Sequence, residues 1–163
     1  MADPAASGEI RQTVDALRAI LAASTAFQSL TGAANAAAAL ALIRRDVNVR
    51  ASTDGAALSL PLANVSIDVH DSTSIGFGTT INSGSGTILI RADFSGTYPV
   101  ATEAEAHMLN VLGNIKDNLM TLTHGGGYLL IRSISAPYIE REEDDNVDAI
   151  WFGVLDLQWG LSL

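Results

Sequence analysis

The chain has 163 residues, 48% of them hydrophobic, no cysteine, 9 Lys and Arg against 18 Asp and Glu, and a net charge of −9. That length is one domain's worth, and the missing thiols exclude disulfide frameworks, zinc ribbons and cysteine nucleophiles. The acidic balance excludes a dense cationic face for sequence-independent nucleic-acid binding, because no basic cluster exceeds Arg44-Arg45.

The segment Met1-Ala-Asp-Pro-Ala-Ala-Ser-Gly-Glu has neither a basic nor an apolar stretch, so no signal peptide is expected there. Ser7 is a candidate N-cap, with Glu9 and Asp15 favouring the start of a helix. Ile10, Val14, Leu17 and Leu21 fall at i, i+4, i+7 and i+11, with Ile20 broadening the stripe. Ser24-Thr25 ends that helix and opens a further turn through Phe27 and Leu30, which Gly32 stops. The alanine-rich run Ala33–Ile43 contains Asn35 and ends at Arg44. It falls well short of the roughly 20 apolar residues of a membrane span, so a soluble protein is expected. A short helical or irregular stretch there, then a strand to about Arg50, a turn at 51–55 and a break at Pro61 complete the first third.

From Val65 the period is two, with Val65, Ile67 and Val69 on one face and Ser66, Asp68 and His70 on the other. Residues 71–86 are rich in Ser, Thr, Gly and Asn, with Ile75, Phe77 and Ile81 interspersed. That composition predicts a long hairpin arm or a mobile, flexible loop between two strands. The next strand is predicted at 87–94, closed by Gly96, Tyr98 and Pro99. Thr102 with Glu105 forms a capping box opening a helix to about residue 122, whose inner face is Met108, Leu112, Ile115, Leu119 and Leu122. Gly113 inside it costs about 1 kcal/mol relative to alanine, so close packing is expected at that point. After His124-Gly125-Gly126-Gly127, strands are predicted at Tyr128–Tyr138 and Ile150–Leu161, separated by an acidic hairpin turn at about 140–148. In the second strand Trp151, Gly153, Leu155, Leu157 and Trp159 alternate with Phe152, Val154, Asp156, Gln158 and Gly160. The whole is one α+β domain over 1–163: a largely antiparallel sheet with an N-terminal helix and one long central helix packed on one face.

Chemical signatures are scarce. The nucleotide, zinc-protease and serine-hydrolase motifs are missing. His70-Asp71-Ser72 has the residue types of a triad, but consecutive strand residues point to alternate faces and cannot line up. Glu140, Glu142, Glu143, Asp144, Asp145 and Asp148 offer clustered oxygens, the raw material of a cation site. They lack the alternation and the glycine turn of a calcium loop, which leaves a solvated turn or an electrostatic docking loop as the other readings. The triple glycine follows a helix rather than preceding one, the wrong order for a phosphate cradle. Trp151 and Trp159 fit a buried sheet face or a subunit interface. No catalytic, cofactor-binding or metal-binding residue is expected.

The opening Leu17-Arg18-Ala19-Ile20-Leu21-Ala22-Ala23-Ser24-Thr25-Ala26-Phe27 resembles the L-R-x-x-L-x-x-x-x-x-F start of bacteriophage (siphophage-like) tail terminator and tail completion proteins. The strand Thr87–Phe94 followed by the long helix, and Tyr138 through the acidic turn to Ile150-Trp-Phe-Gly-Val-Leu-Asp-Leu-Gln-Trp, resemble their middle and closing hairpin. The Ala-rich stretch and the 71–86 segment depart from that pattern. The resemblance implies a virion protein assembled in the host cytoplasm. It would form a homo-oligomeric, usually hexameric, ring at the head-proximal end of a tail, touching the tail tube protein on one side and head–tail connector or neck proteins on the other. DNA would pass its lumen without specific binding, and no membrane is involved. A head–tail adaptor or a tail-tube subunit is the alternative within the virion, and a small cytoplasmic ligand-binding or enzymatic domain the alternative outside it. The expected interface residues are Ile75, Phe77, Ile81, Glu142, Glu143, Asp144, Asp145, Trp151 and Trp159, with the strand at 150–161 as the sheet edge.

Overall fold

The computed structural model describes residues 9–45, 62–77, 79–93, 101–124, 129–144 and 147–161. The Ser7 cap, the strand beyond Arg45, the turn at 51–55, Pro61, the Gly96–Pro99 stop and the triple glycine lie outside them.

Helix α1 (Glu9–Ala23) buries Val14, Leu17, Ile20 and Leu21, the stripe its sequence spacing dictates. Helix α2 (Thr25–Thr31) starts where the Ser24 hydroxyl accepts from the Phe27 amide. It stops at Gly32, whose φ of 69° needs no β-carbon to be avoided. Asn118 pins this junction from across the molecule. Its Oδ1 accepts from Ser24 Oγ at 3.0 Å, Thr25 Oγ1 at 3.1 Å and the Ala26 amide at 3.0 Å. Ser24 is fully buried, so Asn118→Ala strands a buried donor. Urea denaturation should show a loss of about 1–3 kcal/mol. An unchanged midpoint would mean that this bond contributes nothing.

Helix α3 (Ala36–Leu40) is capped by Asn35, whose side chain accepts from the Ala38 amide, and leads into strand β1 (Ile43–Arg45). Arg18 of α1 holds that turn: its Nε and Nη2 donate to the Ile43 carbonyl at 3.0 and 2.7 Å, while Nη1 meets Asp15.

The remaining strands are β2 (Leu62–Gly76), β3 (Thr79–Asp93), β4 (Thr123–His124), β5 (Leu129–Ile134), β6 (Tyr138–Asp144) and β7 (Val147–Leu161). They form one seven-stranded sheet in the order β1-β2-β3-β7-β5-β4, with β6 also on β7. Every pair is antiparallel except β1 with β2. β5 and β6 dock in succession along one edge of β7, joined across Ser135–Pro137, where the Ser135 amide donates to the Asp156 carbonyl at 2.8 Å. The two strands and β7 therefore make one long hairpin.

This topology corrects one expectation. The strand at 150–161 is not a sheet edge, because β3 flanks it on one side and β5 with β6 on the other. The acidic segment differs from a plain turn as well: Glu140–Asp144 and Val147–Asp148 are paired strand, with Glu142 opposite Ile150 and Asp144 opposite Val147.

The helices cover one face of the sheet. Helix α4 (Ala101–Leu119) begins one residue before the expected cap and ends before Leu122. Met108, Leu112, Ile115 and Leu119 are fully buried beneath it. Its close approach to the sheet is made at Gly153 of β7. A β-carbon there would lie 2.6 Å from both Leu112 methyls and 2.7 Å from Met108 Cε. At Gly113, where the sequence pointed to tight packing, a β-carbon would meet nothing within 4 Å. The helix is received by a glycine in the strand, and its own glycine faces open space.

Candidate assembly surfaces

Strands β2 and β3 run through the Ser/Gly-rich stretch as a paired hairpin, from Leu62 opposite Arg91 out to Gly76 opposite Thr79. β7 accompanies β3 only as far as Ser83 opposite Gly160. Beyond that point the pairs Ser72–Asn82, Thr73–Ile81, Ser74–Thr80 and Gly76–Thr79 continue as a two-stranded arm, about 16 Å long at 3.3 Å per residue. Ser72, Thr73, Ser74, Gly76 and Phe77 are all exposed. Two strands without a covered face are marginal on their own in water.

A bulge builds the root of the arm. Ile67 pairs with Gly86 but Val69 pairs with Ser85, so β2 carries one extra residue, Asp68. The extra residue reverses the expected faces from there on. Val69 turns outward, 46% exposed, and His70 turns inward, its ring 5.1 Å from that of Trp159. Gly84, opposite His70, makes this possible. A β-carbon on it would fall inside contact distance of the Val69 carbonyl oxygen and 2.7 Å from Trp159 Cζ2. Nε2 of His70, Oδ1 of Asn82 and Nε1 of Trp159 are buried here without a protein hydrogen-bond partner. On the outer face Thr87 Oγ1 lies 2.7 Å from Asp68 Oδ2 and 3.1 Å from Asp156 Oδ1, tying β2, β3 and β7 together. Further along the same face the Arg91 guanidinium sits 5.1 Å over the Phe152 ring.

The tip is Phe77. It is wholly exposed and has φ 53°, the one positive φ among the described non-glycine residues. The left-handed conformation suits Gly, Asn or Asp at a two-residue turn, and is an outlier for a bulky side chain.

Set against known proteins, the sequence matches no protein-family model and no curated protein. Among solved structures it is similar to a chain of the virion of a native gene transfer agent particle. The TM-score is 0.48 at 13% identity, over 96% of this chain and 100% of that one. A likeness of that size assigns no role.

The expected interface residues divide into three groups. Ile75, Phe77 and Ile81 all fall on the arm or its turn. Glu142, Glu143 and Asp144 lie at the far end of the closing hairpin, in β6, with Asp145 outside the described residues. Trp151 and Trp159 belong to the chain's own core, 6% and 1% exposed, on the helix-covered face of β7. The spacing of one strand cannot distinguish a face covered by the chain's own helices from one covered by a neighbour. What sequence reasoning missed is a large apolar side chain left in solvent on α4, Leu109, 42% exposed. Leu109 sits one position after the buried Met108, so simple periodicity treats it as a flank.

Proposed function

We propose that the chain is a virion building block of the phage tail-terminator type. It closes into a ring, six copies being the usual number, at the head-proximal end of a tail. There it ends tube growth and presents the surface to which head or neck proteins attach. The order of elements supports this reading: an N-terminal helix, a strand followed by a long helix, and a closing hairpin, as in the sequence resemblance described above. The observation that carries it is the arm. A two-stranded overhang ending in a solvent-exposed phenylalanine at positive φ has two costs and no return among the described residues. Contact with a neighbouring subunit supplies the return. The net charge of −9 suits a lumen through which DNA slides without adhesion.

Solution mass tests the reading. A discrete closed oligomer, and shortened tubes when the protein is added to polymerising tube subunits, are the expected results. Indefinite tubes of the chain alone would make it a tube subunit, and a monomer at every concentration would sink the ring. Arm amides at 72–76 and 79–82 should exchange rapidly in the free subunit and slowly in the ring.

The acidic end of the closing hairpin has a separate expected result. Converting Glu142, Glu143, Asp144 and Asp145 to amides should leave the subunit folded. It should impair joining to a neck ring if that end docks on a basic patch, and joining of the parent should then weaken with salt. If that end lines the lumen, the same variant should slow DNA passage instead. Normal joining and normal DNA transfer together would reduce the segment to a solubilising one.

A further inference from the structure

We propose that the root of the arm binds one internal water molecule, held between Trp159 Nε1 of β7, Asn82 Oδ1 of β3 and His70 Nε2 of β2. The inference stands apart from the ring reading, because it concerns the single subunit and names what fastens the arm to its body.

Among the described residues, four buried side-chain polar atoms have no hydrogen-bond partner in the protein, and three of the four are these. Buried polar groups of native proteins are almost always paired, with protein or with ordered water, so three in one place call for a shared partner. The strand register brings them together. His70 is opposite Gly84, and Gly84 is opposite Trp159, with the His70 and Trp159 rings 5.1 Å apart. Asn82 is two residues from Gly84 on β3, hence on the same face, and it is 7% exposed against 1% for Trp159. A β-carbon on Gly84 would lie 2.7 Å from Trp159 Cζ2. A single ring carbon separates Cζ2 from Nε1, so the nitrogen-bearing edge of the indole lies against β3 at this level.

The three atoms differ in kind, and the difference selects the ligand. An indole N–H only donates, an amide carbonyl oxygen only accepts, and an imidazole nitrogen does either according to its tautomer. An anion would meet Asn82 Oδ1 lone pair to lone pair, and a metal cation would meet the indole proton. A water accepts from Trp159, donates to Asn82 and keeps a further bond for His70, about the three bonds that an internal water usually makes. The outer face of the sheet already carries the matching tie, because Thr87 Oγ1 joins β3 to Asp68 of β2 and Asp156 of β7. The water joins the same three strands on the inner face, so the arm is fastened to the body from both sides.

Water–protein NOE spectra of the unsubstituted subunit test this directly. The Trp159 indole proton, assigned by its loss in Trp159→Phe, and the carbon-bound ring protons of His70 should both show cross-peaks to water, with the sign of a long-lived bound molecule. A cross-peak missing from either residue, or an NOE that sets the indole proton against a protein acceptor, would overturn the inference. Asn82→Leu is the second measurement, since it keeps the approximate shape and removes the acceptor. Both cross-peaks should weaken, and amides at 70–72 and 82–84 should exchange about tenfold faster, the loss of roughly one hydrogen bond, while α1 exchanges as before. If the three atoms are instead unpaired, the leucine removes a buried liability. Exchange at the arm root then slows, the melting temperature rises, and the water is ruled out.

Discussion

Leu112→Asp is expected to abolish the cooperative thermal transition of the subunit. Leu112 is fully buried, and its two methyls sit over Gly153 in the central strand with Met108 alongside. Losing a leucine from such a site costs about 2–5 kcal/mol for the cavity alone. A carboxylate adds the cost of an unpaired charge among apolar side chains, or of the proton it takes up to avoid that charge. Together these approach the about 5–15 kcal/mol that holds a domain of this kind folded. Leu112→Met is the control and should cost less than about 1.5 kcal/mol, because the volume is kept. If the aspartate variant melts like the parent, the face assigned to α4 is wrong.

Gly84→Ala should be the most damaging single-methyl change in the sheet, at about 3 kcal/mol, the upper range for overpacking. Its methyl would collide with the Val69 carbonyl oxygen, and a backbone atom cannot rotate away as a side chain does. Trp159 closes the other side. Relief requires the bulge at Asp68 to open and the arm to separate at its root, so tryptophan emission should shift together with the denaturation midpoint. The same substitution at Gly113 carries the opposite sign, since there the methyl enters open space and removes only unfolded-state freedom. A Gly84→Ala protein within about 0.5 kcal/mol of the parent, the range of ordinary surface changes, would contradict the bulge geometry.

Those two glycines also mark where the sequence was legible and where it was not. The inner faces of α1 and α4 follow from a 3.6-residue repeat, which depends only on neighbours in the chain. Val14, Leu17, Leu21, Met108, Leu112, Ile115 and Leu119 are accordingly all buried. The alternation of β7 likewise put Trp151, Leu155, Leu157 and Trp159 on one face, and α+β follows from the order of the elements. Alternation is silent, however, about which strands meet. It fixed neither the central place of β7 nor the extra residue at Asp68 that exchanges the faces of Val69 and His70. It also left open whether 71–86 pairs or wanders, because Ser, Thr and Gly suit either until a register supplies the partners. Gly113 and Gly153 were exchanged for the same reason. A helix–sheet approach needs a small residue on one side only, and the chain alone does not say which.

The place of β7 has a consequence for how the protein comes into being. Among the described strands it is the last in the chain, and it pairs with β3 across some of the longest sequence separations in the sheet, Asp93 with Ile150 and Ser83 with Gly160. Non-local pairings of that kind carry their loop-closure entropy before they are rewarded and form slowly. Until β7 is synthesised, β3 presents a bare edge that carries Ile88, Ile90 and Ala92, and an uncovered edge of that kind is a template for aggregation. Helix α4 meanwhile has no Gly153 to settle on. Nascent or truncated chains should therefore be recognised by chaperones and proteases as unfinished. A chain stopped before residue 147 should turn over rapidly in cells and exchange its β3 amides without protection, whereas completion of a single strand both closes the edge and seats the helix.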